Sequence, residues 1–251
     1  MAERKRTKPS SLPGRILARL FLVVLGFAVG VVLFTPWNKI WANALTRLDA
    51  SQPAVGLTWG AIDRDGPLGF RLRDFKISVA QTPGRLHFKQ AYVSVGFSPL
   101  ATVRLDTGGP QCRLELFSNG VFDFEGDLDL TYLLGDSDLK GVLRASGSLF
   151  LPEGARLPKN GWVDVRSQQL VLPGDKVVED LAFTAEIENE HMAVRDFSIR
   201  LPLTYKSSGT AVLDPDNLFR TRFNLKGDMT VGREVFAYEM NGTLGDAMAA
   251  R

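Results

Sequence analysis

The chain has 251 residues, of which 45% are hydrophobic and 23% charged, ordinary globular proportions that exclude wholesale disorder. Its net charge of +2 is unevenly spread. Six of the 30 Lys and Arg, but only one of the 28 Asp and Glu, fall in residues 1–19, leaving 24 basic against 27 acidic side chains in the body. A weakly acidic body excludes the electrostatic footprint of a nucleic-acid binder.

Residues 1–15 form a basic tail containing Arg4, Lys5, Arg6, Lys8 and Arg15. Residues 20–34 carry no charge, and the twenty residues 16–35 would span about 30 Å as a helix, the thickness of a bilayer's hydrocarbon. Arg19 interrupts only the tail side, where its stem can snorkel. A transmembrane helix over 16–35 is therefore expected. Gly26 and Gly30 within it make a G-x-x-x-G spacing, which is compatible with close helix contact. Pro36 ends the span, and Trp37 and Trp41 stand where an interfacial aromatic belt belongs. The excess of basic residues before the span predicts a cytoplasmic N-terminus and an exported body, in a single pass through the membrane. The rival reading is a cleaved signal peptide. Its small-x-small site, Ala42-Asn43-Ala44, lies eight residues past the apolar run with Pro36, Trp37 and Trp41 between, which disfavours it.

Residues 36–53 read as a connector helix carrying Ile40, Trp41, Leu45 and Leu48. From residue 54 to 245 the period changes to two. Apolar positions alternate through Leu68, Phe70 and Leu72, then through Phe75, Ile77 and Val79 after a phase slip that predicts a bulge. The stretch 122–132 sets Phe122, Phe124, Leu128, Leu130 and Tyr132 on one face and Asp123, Glu125, Asp127 and Asp129 on the other. Similar alternation recurs at 139–149, 162–172, 181–187, 192–203, 210–213, 219–229 and 235–244. Turn signals such as Ser118-Asn119-Gly120, Asn160-Gly161 and Pro173-Gly174-Asp175 divide these stretches. About a dozen strands without a strand-helix-strand rhythm predict an all-β antiparallel fold, either a curved sheet or an open barrel or groove, followed by a tail at 246–251. A weak internal repeat links Arg73-Asp74-Phe75-Lys76-Ile77 with Arg195-Asp196-Phe197-Ser198-Ile199.

Few residues suggest chemistry. Cys112, the only cysteine, can form no intrachain disulfide and reads as a buried thiol in phase with Leu114 and Leu116. His87 and His191, the only histidines, have no second ligand at metal-binding spacing. The acid row from Asp123 to Asp129 lacks calcium-loop geometry and reads as a solvated sheet face. No nucleophile elbow, phosphate loop or metalloprotease motif is present in the sequence. Catalytic, cofactor-binding and metal residues are accordingly expected to be none, and a non-enzymatic role is expected. Asn241-Gly242-Thr243 matches a glycosylation sequon, but Asn-Gly in a β-rich chain reads more simply as a bulge or turn. The strip Leu139, Gly141, Leu143, Ala145, Gly147, Leu149 has room for another backbone or an acyl chain, and sheet curvature is the plainer explanation.

The anchor ending Leu33-Phe34-Thr35-Pro36-Trp37, the connector and the β body together resemble the N component of type II secretion systems (GspN), in the longer version that is similar to AsmA-like proteins. The stretches that carry the resemblance are 55–75 (VGLTWGAIDRDGPLGFRLRDF), 93–100 (VSVGFSPL), 126–135 (GDLDLTYLLG) and 238–244 (YEMNGTL). The resemblance implies an inner-membrane, periplasm-facing structural subunit whose partners are other secretion-system or envelope proteins. Its AsmA-like side implies instead a curved sheet whose apolar concave face handles lipid.

Overall fold

The computed structural model describes residues 35–51, 55–66, 68–79, 85–135, 139–155, 157–172, 174–200, 203–215, 217 and 220–249. The expected span over 16–35, with its Gly26 and Gly30, lies outside them but for Thr35. Among the described residues no helix is long and apolar enough to cross a membrane.

Fourteen strands form one open antiparallel sheet. They are β1 (Val55–Thr58), β2 (Ala61–Arg64), β3 (Gly69–Val79), β4 (Arg85–Val95), β5 (Ala101–Asp106), β6 (Gln111–Leu116) and β7 (Val121–Asp129), then β8 (Lys140–Phe150), β9 (Asn160–Leu172), β10 (Lys176–Glu188), β11 (His191–Arg200), β12 (Thr204–Val212), β13 (Arg222–Val231) and β14 (Glu234–Thr243). From β3 to β14 each strand pairs with the next, as a meander of hairpins requires, while β1 and β2 lie end to end along β3. The sheet does not close on itself, because β14 pairs only with β13.

Alternation puts one apolar face along this whole meander. Cross-strand neighbours on it run from Leu72–Ala91 through Leu105–Cys112, Ala145–Val165 and Phe183–Phe197 to Leu225–Met240. The opposite face carries ion pairs such as Arg73–Asp63 (2.6 Å), Arg144–Asp127 (2.8 Å) and Arg195–Glu186 (2.6 Å). Such exposed pairs add little stability each, but they keep that face wet.

The expected bulge between Leu72 and Phe75 is not formed: the β3–β4 register runs from Arg73–Gln90 to Phe75–Phe88 without a shift, and the change of phase falls at Asp74, whose backbone turns left-handed (φ 51°). The second copy of the repeat differs, since here the register does slip. The β11–β12 register shifts between Val194 and Phe197, across Arg195-Asp196, and Phe197 lands on the apolar face beside Phe183.

Two helices cover the early part of that face. Helix α1 (Trp37–Ser51) lays Trp41 against Phe70, ring centroids 4.9 Å apart, while near its far end the Asp49 carboxylate accepts a hydrogen bond from the Leu57 N–H at 2.6 Å. Helix α2 (Leu130–Leu133) corrects the expected strand over 122–132, which stops at Asp129. That side chain accepts from the Thr131 N–H at 2.9 Å and caps a helical turn, burying Leu130 and Leu133. Beneath these helices Phe70, Leu72, Phe75, Phe88, Ala91, Leu105 and Cys112 form the centre of the core. A third helix, α3 (Leu244–Ala249), follows β14.

The pair Asn241-Gly242 makes no turn. Both residues sit in the unbroken register of β13 with β14, opposite Asn224 and Phe223, because the hairpin turn falls at Gly232-Arg233 instead.

Candidate functional site

Past β10, among the described residues, the apolar face meets a helix only at Leu244 of α3, and the side chains there line an open groove of about 630 Å³. Phe183 of β10, Val194, Phe197 and Ile199 of β11, Tyr205 of β12, Phe223 and Leu225 of β13, and Tyr238 and Met240 of β14 supply its walls, with Leu244 of α3 at one end. Strand alternation, with the register shift across Arg195-Asp196 in β11, presents them all on one side. Only Tyr205, Tyr238 and Thr221 bring side-chain oxygens to the lining, and no lining residue is charged. The volume falls in the range of about 300–1,000 Å³ usual for small-molecule sites.

Glycine lets the strands approach closely here. A Cβ at Gly227 would lie 1.9 Å from the Lys206 carbonyl oxygen, and one at Gly209 would lie 2.0 Å from that of Asn224. Both residues share the apolar face with Tyr205 and Leu225. With no side chain at 227, the rings of Tyr205 and Tyr238, two strands apart, meet edge to face at 5.9 Å.

The groove does not lie where the sequence placed its lipid candidate. Leu139 and Leu143 pack against the covered core, and Gly147 is filled by its neighbour, since a Cβ there would meet the Phe124 ring at 2.5 Å. At Gly141 the Gln169 carbonyl oxygen would stand 2.5 Å from a Cβ. Close packing of adjacent strands accounts for that strip. The groove residues follow the same alternation as every other strand, and the only signal that could have singled them out is that no helix-forming segment follows β8 until the chain's end.

The acid row occupies the polar face. Asp123 faces Glu115 and Ser148, Glu125 faces Arg113 and Ser146, and Asp127 faces Arg144. Two hydrogen bonds from Arg144, at 2.8 and 3.1 Å, hold the Asp127 carboxyl below the usual carboxylate range. Among the described residues no group of three His, Cys, Asp or Glu side chains could hold a metal ion. His87 on β4 stacks on Tyr132 at 5.1 Å, while His191 opens β11. Seven strand steps at ~4.8 Å each put the two on the order of 30 Å apart along the sheet. Cys112 is 3% exposed, and burial, with a smaller contribution from Asp127, pushes its thiol up.

No protein-family model, curated protein or solved structure matches the chain.

Proposed function

We propose that this protein is a non-enzymatic, membrane-anchored lipid-binding module of the cell envelope, and that its groove on β10–β14 holds acyl chains. The observation that carries the reading is the groove's wall: broad, open and almost free of polar atoms. A peptide laid there would bring a backbone donor and acceptor per residue and find almost nothing to pair with them. An acyl chain needs no partners and gains ~0.8 kcal/mol for each CH₂ removed from water. The uncharged run over 20–34 supports an anchor that would hold such a groove beside its lipid source.

A second reading, a structural subunit of a type II secretion system, is favoured by the other half of the sheet. Beneath α1 and α2 the core is filled, and its outer face is polar, as a scaffold requires.

The experiment compares Leu225→Asp with Leu143→Asp in the full chain extracted from membranes, measuring thermal unfolding and co-extracted lipid by mass spectrometry. Leu225 borders the open groove, where water can reach a carboxylate; Leu143 packs on the covered core. Leu225→Asp is expected to keep its fold and lose bound lipid, whereas Leu143→Asp is expected to unfold. A parent protein that carries no more lipid than its folded Leu225→Asp variant would overturn the reading. If deleting the gene then blocked secretion and Leu225→Asp restored it, the second reading would stand.

A further inference from the structure

We propose that one corner of the sheet rim, built from the β2–β3, β4–β5 and β6–β7 turns, seats on the bilayer surface with the Phe97 ring inserted into it. Phe97, at the tip of the β4–β5 turn, is 96% exposed. Leu68 (50%), Val95 (37%), Leu100 (43%) and Leu116 (42%), in or beside the same three turns, are further exposed apolar side chains.

Backbone hydrogen bonds tie these positions into one patch. The Val95 N–H donates to the Leu68 carbonyl at 2.9 Å, the Gly96 N–H to that of Leu100 at 3.0 Å, and the Leu100 N–H to that of Leu116 at 2.8 Å. Single exposed apolar residues are ordinary, but a contiguous cluster marks a contact surface.

The position of the tether selects the occupant. Trp41 packs on Phe70, one residue past the start of β3, whereas Asp49 reaches Leu57, which pairs with Ile77 near that strand's other end. Helix α1 therefore runs from this rim toward the opposite one. At ~1.5 Å per residue Trp37 lies about 6 Å beyond Trp41 on the side of the Phe97 corner. The uncharged run 20–34 joins the described chain just before it, at Thr35. Anchor and patch thus meet at one corner, with Trp37 as the aromatic residue between.

Farther along the same rim Leu151 of the β8–β9 turn is 42% exposed, while the β10–β11 turn is the polar pair Asn189-Glu190.

The contact rests on the proposed anchor and not on the groove. To test it, the full chain bearing Phe97→Cys, or Arg233→Cys on the opposite rim, is labelled with an environment-sensitive fluorophore. Cys112, being buried, is left in place, and single labelling is confirmed by mass. Each protein is reconstituted into vesicles of phosphatidylethanolamine and phosphatidylglycerol, with and without brominated acyl chains, and floated on a density gradient.

The label at 97 is expected to shift to the blue and lose emission to brominated lipid, while the label at 233 does neither. Protein that floats while its 97 label reads as aqueous, or as no more quenched than 233, overturns the rim contact and leaves the anchor standing. Protein that does not float overturns both.

Discussion

Tyr205 and Tyr238 stand on strands that do not touch each other, β12 and β14, yet their rings meet edge to face at 5.9 Å. They reach across β13 at the level of Gly227, which pairs with Ser207 on one side and with Tyr238 itself on the other. The absence of a side chain at one position thereby joins three strands into a single aromatic wall of the groove.

Gly227→Ala should therefore destabilise the sheet. The new Cβ would lie 1.9 Å from the Lys206 carbonyl oxygen and 2.6 Å from the Ser207 Cα, both backbone atoms that cannot swing aside. A cost of about 1–3 kcal/mol is expected, as for other overpacked sites. Gly109→Ala, where nothing lies within 4 Å, is the matched control and should melt with the parent. Equal melting temperatures for the two variants would refute the close approach.

The two halves of the apolar face should respond differently to truncation. Leu72 is 1% exposed beneath the covered side, so Leu72→Ala should cost about 2–5 kcal/mol in thermal or denaturant unfolding. Phe236 on the edge strand is 46% exposed, and Phe236→Ala should change stability far less. A comparable loss at both positions would mean that β14 is covered in the folded protein.

Acid sensitivity has a defined sign on the polar face. The Arg166 guanidinium, through bonds of 2.9 and 3.1 Å, holds the Asp164 carboxyl below its ordinary range, and Thr184 donates a third bond at 2.9 Å. A depressed folded value contributes stability that is complete above the unfolded value, about 3.9, and is lost as pH falls through the folded one. Arg166 is largely exposed, so solvent screening keeps the contribution small. The difference in stability between the parent and Asp164→Asn should be present at pH 6 and disappear in strong acid. A pH-independent difference in urea unfolding would show that the ion pair is not its origin.

For topology, alkaline phosphatase fused after Arg251 should be active, because that enzyme matures outside the cytoplasm and the basic residues of the tail should hold residues 1–15 inside. An inactive fusion would reverse the proposed orientation.

The sequence alone determined the sheet, because a strand with one buried face must alternate, and the alternation is plain wherever Phe, Leu and Val interleave with Asp, Arg and Thr. It also located the change of phase between Leu72 and Phe75, although a left-handed Asp74, and not an inserted residue, makes it. Local pattern was less informative where two structures compete for the same residues. Leu130 and Tyr132 continue the period of β7, yet Asp129 caps a helical turn that buries Leu130 and Leu133 over the core. Asn241-Gly242 resembles a turn, but ten consecutive pairings with β13 keep it extended.

Which part of the apolar face is covered was settled only in three dimensions. Alternation marks a face without naming what lies against it, and Leu143 and Leu225 look alike in the sequence. They differ because α1 and α2 come to rest over the early strands, with Trp41 on Phe70 and Leu130 and Leu133 in the core, while among the described residues β11–β14 meet only Leu244 of α3 at one end of the groove.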